Sequence, residues 1–342
     1  MPRSSASALL YAVGALAIAS SALAKANRDY CPSDPYADPA NDQCNPLRYV
    51  PSLGLNAAAC ALYFAVWLAF TYNQFRYKGK YFLCLVIGTF TAGIGLVLRL
   101  VFRKMLHSSG AYIAMYLFVV LSPCAFLAAD YILLGRIVNH LDAERYLFIK
   151  PSKVSTIFII SDIVTFLIQA VGGGTSSAQS QKARDVGVRI FLAGLAAQLL
   201  SFLLFSILWL VFLIRARKDE FLWKRSGWKQ LYFALGFTCI CFLIRSFFRT
   251  VELSEGYAGY LSIHEKFYMG LDALPLFVGI LVYVWYWPPR ILTPDTKVQR
   301  SEWSDASYDD TELAPPVREH GSPNTSATLA DDGAFADSEG KK

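Results

Sequence analysis

Seven mostly apolar stretches, near residues 53–74, 81–102, 111–134, 154–172, 186–214, 230–251 and 267–288, are each long enough to cross roughly 30 Å of hydrocarbon as a helix. No other feature restricts the fold so strongly, because a backbone in oil must satisfy its own polar groups, and a single apolar segment does so only as a helix. Composition agrees. Of 342 residues, 55% are hydrophobic and 17% charged, against roughly a quarter charged in soluble domains. The expected fold is all-α, a polytopic membrane bundle of seven transmembrane helices.

The net charge of +6 conceals a division. Residues 1–290 hold 27 basic and 15 acidic side chains, whereas residues 291–342 hold 5 and 11. A basic body with an acidic tail is not a nucleic-acid footprint, so no nucleic-acid partner is expected. Within the body the basic residues alternate by connection. Arg76, Lys78 and Lys80, then Arg136, Arg145, Lys150 and Lys153, then Arg215, Arg217, Lys218, Lys224, Arg225 and Lys229 make thirteen; Arg103, Lys104, Lys182, Arg184 and Lys266 make five in the other connections. Positive connections stay in the cytosol. The N-terminus is therefore expected outside and the C-terminus inside.

Residues 1–24 carry a short apolar run from Leu9 to Ala19 and then Ala22-Leu23-Ala24, which has the spacing of a signal-peptidase site. They are read as a cleaved signal peptide, the competing reading being an eighth, uncleaved helix. Residues 25–52 then form an extracytosolic segment in which Cys31 and Cys44 can close a small disulfide loop. The seven-helix domain covers 53–290. Residues 291–342 are polar, acidic and poor in aliphatic side chains, the composition of a disordered cytosolic tail. Its sequon at Asn324 would not meet the glycosylation machinery on this topology. Nothing identifies a cytosolic partner for that tail.

Ionisable and amide side chains inside spans are the informative residues, since even the mildest scale puts a charge near mid-bilayer at about 2.5–3.5 kcal/mol. They are Arg99, Asp130, Asp162, Gln169, Gln198, Arg245, Arg249, Glu252, Glu265 and Asp272. Arg245, Arg249 and Glu252 share a face at i, i+4 and i+7, and Glu265, Tyr268 and Asp272 share one at i, i+3 and i+7. With Arg99 these form an expected outer polar cluster. Asp130, Asp162 and Gln169 form an expected inner one, with Asp162 roughly 12 Å deep at 1.5 Å per residue. Asp162, Gln169, Tyr268 and Asp272 are the candidate substrate contacts; the remaining seven form a polar network. The competing reading is that all of them pair among themselves and fix helix register.

Soluble-enzyme chemistry has little to work with. The four histidines, His107, His140, His264 and His320, are scattered without ligand spacing, so a metal site is not expected and neither is an intramembrane metal hydrolase. Gly172-Gly173-Gly174 follows an apolar helix instead of joining a strand to a helix, which excludes a phosphate-cradling loop. No cofactor is expected, and the chain is read as a non-enzyme. Gly93, Gly95, Gly187 and Gly194 suit close helix approach. Pro123 and Pro275 are expected kinks, and Pro288-Pro289 an expected helix stop.

The run RSFFRTVELSEGYAGYLSIHEKFYMGLDALP from Arg245 resembles the fungal lipid-translocating exporter family, through Arg245, Arg249, Glu252, Gly256, Glu265, Tyr268 and Asp272. Similar stretches are Tyr49–Ser52, Pro123–Arg136, Asp162–Gly174 and Gly194–Phe205, so the likeness extends from residue 49 to about 292. Two positions depart from it: the family's acid and Gly-Tyr-x-x-Arg in the second span become Thr91, Gly95, Leu96 and Arg99, and its His-Pro-Gly becomes Trp287-Pro288-Pro289. The resemblance implies a protein of the plasma membrane, or of another endomembrane, that moves sphingoid bases or other amphipathic lipids or amphiphiles without nucleotide hydrolysis. Its partners would be membrane lipids and that cargo. A seven-span sensor and a lipid-homeostasis scaffold remain open as alternatives.

Overall fold

The computed structural model describes residues 34–292, apart from 43, 148–149, 177–179, 220–222, 224–226 and 257–258. The expected signal peptide, Cys31 and the tail beyond residue 292 lie outside the described residues. Seven helices are long and apolar enough to span a membrane. They are α1 (Leu53–Tyr77), α2 (Leu83–Phe102, entered through a 3-10 turn at Lys80–Phe82), α3 (Ser109–His140), α4 (Pro151–Ser176), α5 (Gln181–Ala216), α6 (Trp228–Ser254) and α7. The last is composite. It runs from Glu265–Phe267 through a π-helical stretch, Tyr268–Ala273, into Leu274–Trp285. A short α8, Pro288–Ile291, follows.

Consecutive helices pack side by side, α7 returns to α1, and α3 also meets α6 across the middle. The outward faces are oily: Phe247 is 64% exposed, Leu68 60% and Ile240 58%. Such residues need a lipid environment, because a helix apolar on its outer face has no reason to meet water. The core is aromatic. Tyr131 of α3 packs against Phe158 of α4 and Phe205 of α5, with ring centroids 5.4 and 4.6 Å apart. Trp209 of α5 stacks on Tyr232 of α6 at 5.2 Å. That pair is locked twice, as Trp209 Nε1 donates to the Tyr232 carbonyl at 3.3 Å and the Tyr232 hydroxyl donates to the Trp209 carbonyl.

Helices α4 and α5 approach backbone to backbone. A Cβ on Gly172 would strike the backbone of Phe191, and one on Gly187 would strike that of Thr175 and Ser176, so only glycine lets these two backbones touch. Gly194 is likewise closed by Gln169, whereas Gly95 is tight against the Val119 side chain and Gly93 makes room for the Phe64 ring instead of a backbone.

Several boundaries differ from expectation. The Gly172–Gly174 run lies inside α4, which continues to Ser176 because backbone contact with α5 supports the glycines that propensity would end. Pro123 sits inside an uninterrupted α3. Pro288-Pro289 does not end α7. The helix stops at Trp285, and the two prolines open α8, where a missing N–H costs nothing because first-turn donors have no intrahelical partner. Pro275 acts differently again. It cannot donate to the carbonyl one turn earlier, and immediately before it the helix widens so that the Leu274 N–H bonds to the Met269 carbonyl, five residues back.

Candidate functional site: a ladder of buried polar groups

Polar groups inside the bundle fall into three levels. The first, at the end of the bundle where α2 leads into α3 and α6 into α7 and which is the expected outer end, is an ion network. Asp272, 1% exposed, sits in the π-helical stretch and accepts from Arg249 Nε and Nη2, each at 3.0 Å. Arg245 Nε also approaches its Oδ1 at 3.0 Å, though without the alignment of a hydrogen bond. Arg249 in turn reaches Glu252 at 3.1 Å. On the other side Arg99 lies 3.5 Å from Glu265 and has its guanidinium 4.0 Å from the centre of the Tyr268 ring. Glu265 accepts from the Ser52 amide and from Asn56 Nδ2, both at 2.8 Å. Three arginines and three carboxylates thus neutralise one another around Tyr268. Each charge is paired, as burial demands, because an unpaired ion in low dielectric costs several kcal/mol.

This network floors a small cavity. The cavity encloses about 60 Å³ among Arg99, Tyr112, Tyr116, Arg249, Glu252 and Tyr268, with Tyr49 and Leu47 contributed from above. Pro46, Leu47 and Tyr49, in the segment before α1, form its cover, and that segment is tied down at several points. The Tyr36 hydroxyl donates to the Arg103 carbonyl at 3.0 Å, His107 Nε2 lies 2.6 Å from Asp42, Arg103 donates to the Pro51 carbonyl, and Arg99 donates to the Tyr49 hydroxyl. Burial pushes the Tyr49 phenol up despite the neighbouring Arg99 guanidinium, so it stays protonated. Cys44 of the same segment is disulfide-bonded, whereas Cys60, Cys84, Cys124, Cys239 and Cys241 are free. A second, narrower cavity of about 20 Å³ lies beneath the first, lined by Tyr63, Ser122, Asp272 and Leu276. Tyr268 and Val119 border both cavities.

The middle level is neutral. Gln169 Nε2 of α4 donates to Gln198 Oε1 of α5 at 2.8 Å, and Gln198 Nε2 faces Cys124 Sγ of α3 at 3.7 Å. Gln169 Oε1 is buried and has no partner.

The third level holds two carboxyl groups that no cation among the described residues pairs. Asp130 of α3 accepts from Thr238 at 2.8 Å and from Tyr283 at 2.6 Å. Asp162 of α4, 4% exposed, accepts from the Tyr131 hydroxyl through Oδ2 at 2.9 Å, while its Oδ1 is buried without a partner. Neither side chain points into lipid. α4 begins at Pro151, so Asp162 lies ~16 Å along it, and Asp130 lies ~15 Å from the end of α3 at His140. Asp162 is near the middle of α4, and Asp130 lies about two thirds of the way along α3.

The expected outer cluster of Arg99, Arg245, Arg249, Glu252, Glu265, Tyr268 and Asp272 is thus brought together, and Gln198 joins Gln169. Asp130 and Asp162 share a level but face different partners. Sequence reasoning overlooked Asn56, Tyr131, Thr238 and Tyr283. Asn56, an amide within an apolar span, was a signal available in the sequence; the three hydroxyls resemble ordinary span residues and gave none. Trp287, at the position of the family's imidazole, is wedged between Phe70 and Phe82, with ring centroids 5.5 and 5.3 Å away.

Seven apolar helices enclosing a neutralised ion network, a covered cavity and two uncompensated carboxyls define a polytopic integral membrane protein. A family model described as RTA1 like protein matches residues 85–295. The chain belongs to this RTA1-like family. It is 28% identical over 306 residues to Protein RTA1 of Saccharomyces cerevisiae, covering 80% of this chain and 96% of that one. It is 27% identical over 236 residues to the sphingoid long-chain base transporter RSB1 of the same yeast, covering 57% and 62%. Over 175 residues it is 27% identical to Protoporphyrin uptake protein 1, covering 50% and 57%. No solved structure matches.

Proposed function

We propose that this protein moves an amphipathic lipid with a cationic amine headgroup, of the sphingoid-base kind, across a membrane, without nucleotide hydrolysis or other enzymatic chemistry. The observation that carries this reading is the open Oδ1 of Asp162, a buried carboxyl oxygen facing no cation and no donor. An ammonium group supplies what is missing there, and Coulomb attraction between them strengthens as the local dielectric falls. Gln169 lies seven residues further along α4, two helical turns away, with its own carbonyl oxygen unpartnered. It offers an acceptor for a headgroup hydroxyl. Membrane-family kinship with a sphingoid long-chain base transporter supports the same cargo class.

Asp272, anticipated as a second headgroup contact, takes a different part in this reading. Both of its oxygens are committed to arginines, so with Tyr268 it builds the floor that separates the outer cavity from the interior. The alternation of basic connections supports an external N-terminus, a cytosolic C-terminus and an outward-facing cover. A plasma-membrane location suits export to the outside.

Asp162→Asn keeps the shape and removes the charge. Cells expressing it at wild-type surface levels are expected to lose resistance to added sphingoid base and to lose the leaflet asymmetry of a labelled long-chain base. Unchanged resistance and asymmetry would remove the assignment.

A further inference from the structure

The surroundings of Asp162 point to a second ligand for the same oxygen. Its helix, α4, packs against α3 and α5. From α3, the titratable groups within electrostatic reach are Tyr131 and Cys124; Arg136, further along that helix, stacks on Tyr81 with its guanidinium 3.7 Å from the ring centre and is occupied elsewhere. The titratable residues of α5 are Lys182, Arg184, Asp185, Arg189 and Arg215, all within its first nine or last two positions, far from the level of Phe202 and Phe205. On α4 itself the other charged residue is Lys153, nine positions away. The hydroxyl that bonds Asp162 belongs to a tyrosine enclosed by Phe158, Phe202 and Phe205, with centroids 5.4, 6.2 and 4.6 Å from its own. Among the described residues, Asp162 therefore has one donor, an aromatic shell and no counter-charge. The outer network solves the same problem with arginines; here there is none.

Resting on the cargo reading above, we propose that Asp162 is a proton-binding site and that the protein is a proton antiporter, in which a proton and a cationic headgroup occupy the carboxyl alternately. An empty site must be neutral, because an unpaired carboxylate at mid-membrane depth is costly and a proton is the simplest cation available. When cargo arrives, the carboxyl O–H bond breaks, the proton leaves to water, and the carboxylate so formed pairs with the ammonium. When cargo leaves, a proton from water restores the O–H bond. One positive charge moves each way, so the cycle is electroneutral and a proton gradient drives it. Asp130 lacks this capacity, since its two oxygens are filled by Thr238 and Tyr283.

The test uses the full chain in lipid vesicles and a fluorescent N-trimethylated long-chain base, a permanent cation that cannot itself carry a proton. Vesicles one pH unit more acidic inside are expected to accumulate the probe about tenfold, the factor that one unit of proton gradient supplies at one-for-one exchange, with proton efflux read by an external dye. Asp162→Asn is expected to abolish both signals. Accumulation of the probe to the same level with and without the gradient would overturn the antiport while leaving the cargo reading intact. If the probe does not move under any condition, the cargo reading fails, and infrared spectroscopy of the wild type decides the proton site alone. A protonated-carboxyl band that Asp162→Asn removes supports it, whereas no such band at neutral pH, or a band that Asp162→Asn leaves unchanged, overturns it.

Discussion

Asp272 holds two arginines, and most of the outer network depends on it. Replacing it by Asn leaves Arg245 and Arg249 facing a neutral amide in a buried setting, and losing one partner of such a cluster costs about 3–5 kcal/mol. Asp272→Asn should therefore unfold at a clearly lower temperature in detergent, followed by tryptophan fluorescence, whereas Asp162→Asn, which removes no paired charge, should unfold close to wild type. The contrast is a consequence of geometry that spacing alone could not supply. Arg249 and Glu252 at i and i+3 were visible as a pair in the chain, but the reach from Asp272 to α6, and from Glu265 to the Ser52 amide and Asn56, joins residues more than 20 and more than 200 positions apart. Nor does an orphan oxygen leave any mark in a sequence. Asp162 and Asp272 looked alike there; only their neighbours distinguish a site that is filled from one that is open.

At the level of the helix, Pro275 fixes the phase of α7. The π-helical turn before it carries Tyr268 and Asp272, and restoring a backbone N–H at this position would let the turn tighten to the ordinary pitch. One residue of register is about 100° of rotation in an α-helix, enough to take Asp272 away from Arg249. Pro275→Ala is accordingly expected to lower thermal stability by an amount approaching that of Asp272→Asn, and the two changes combined should cost less than their sum, since both remove the same contacts. An additive result would detach the proline from the network. The spans were readable from hydropathy because a membrane imposes one requirement on every segment. Their ends were not: α4 outlasts its glycines through contact with α5, and α7 ends before Pro288 because those prolines serve as the first turn of the next helix.

For the molecule as a whole, the sequence made the number of crossings and the apolar exterior legible, since both follow from composition along the chain. It could not reveal which helices adjoin, because the α3–α6 contact and the return of α7 to α1 depend on side chains meeting across the bundle. Sidedness is a property of the whole and is tested as one. Lys150, just before α4, and Lys266, in the first turn of α7, are both exposed at opposite ends of the bundle. Lys266→Cys is expected to react with a membrane-impermeant maleimide on intact cells, and Lys150→Cys only after permeabilisation; the reverse pattern would invert the proposed orientation. The segment above the outer cavity bears on the same scale. Its last residue before α1, Ser52, grips Glu265, and Glu265 lies against Arg99, whose guanidinium also sits over Tyr268 at the boundary between the two cavities. On the proposed orientation, anything that grasps this lip has a short mechanical linkage to the partition between the cavities, so an antibody raised against it is expected to inhibit the proposed transport without ever entering the bilayer.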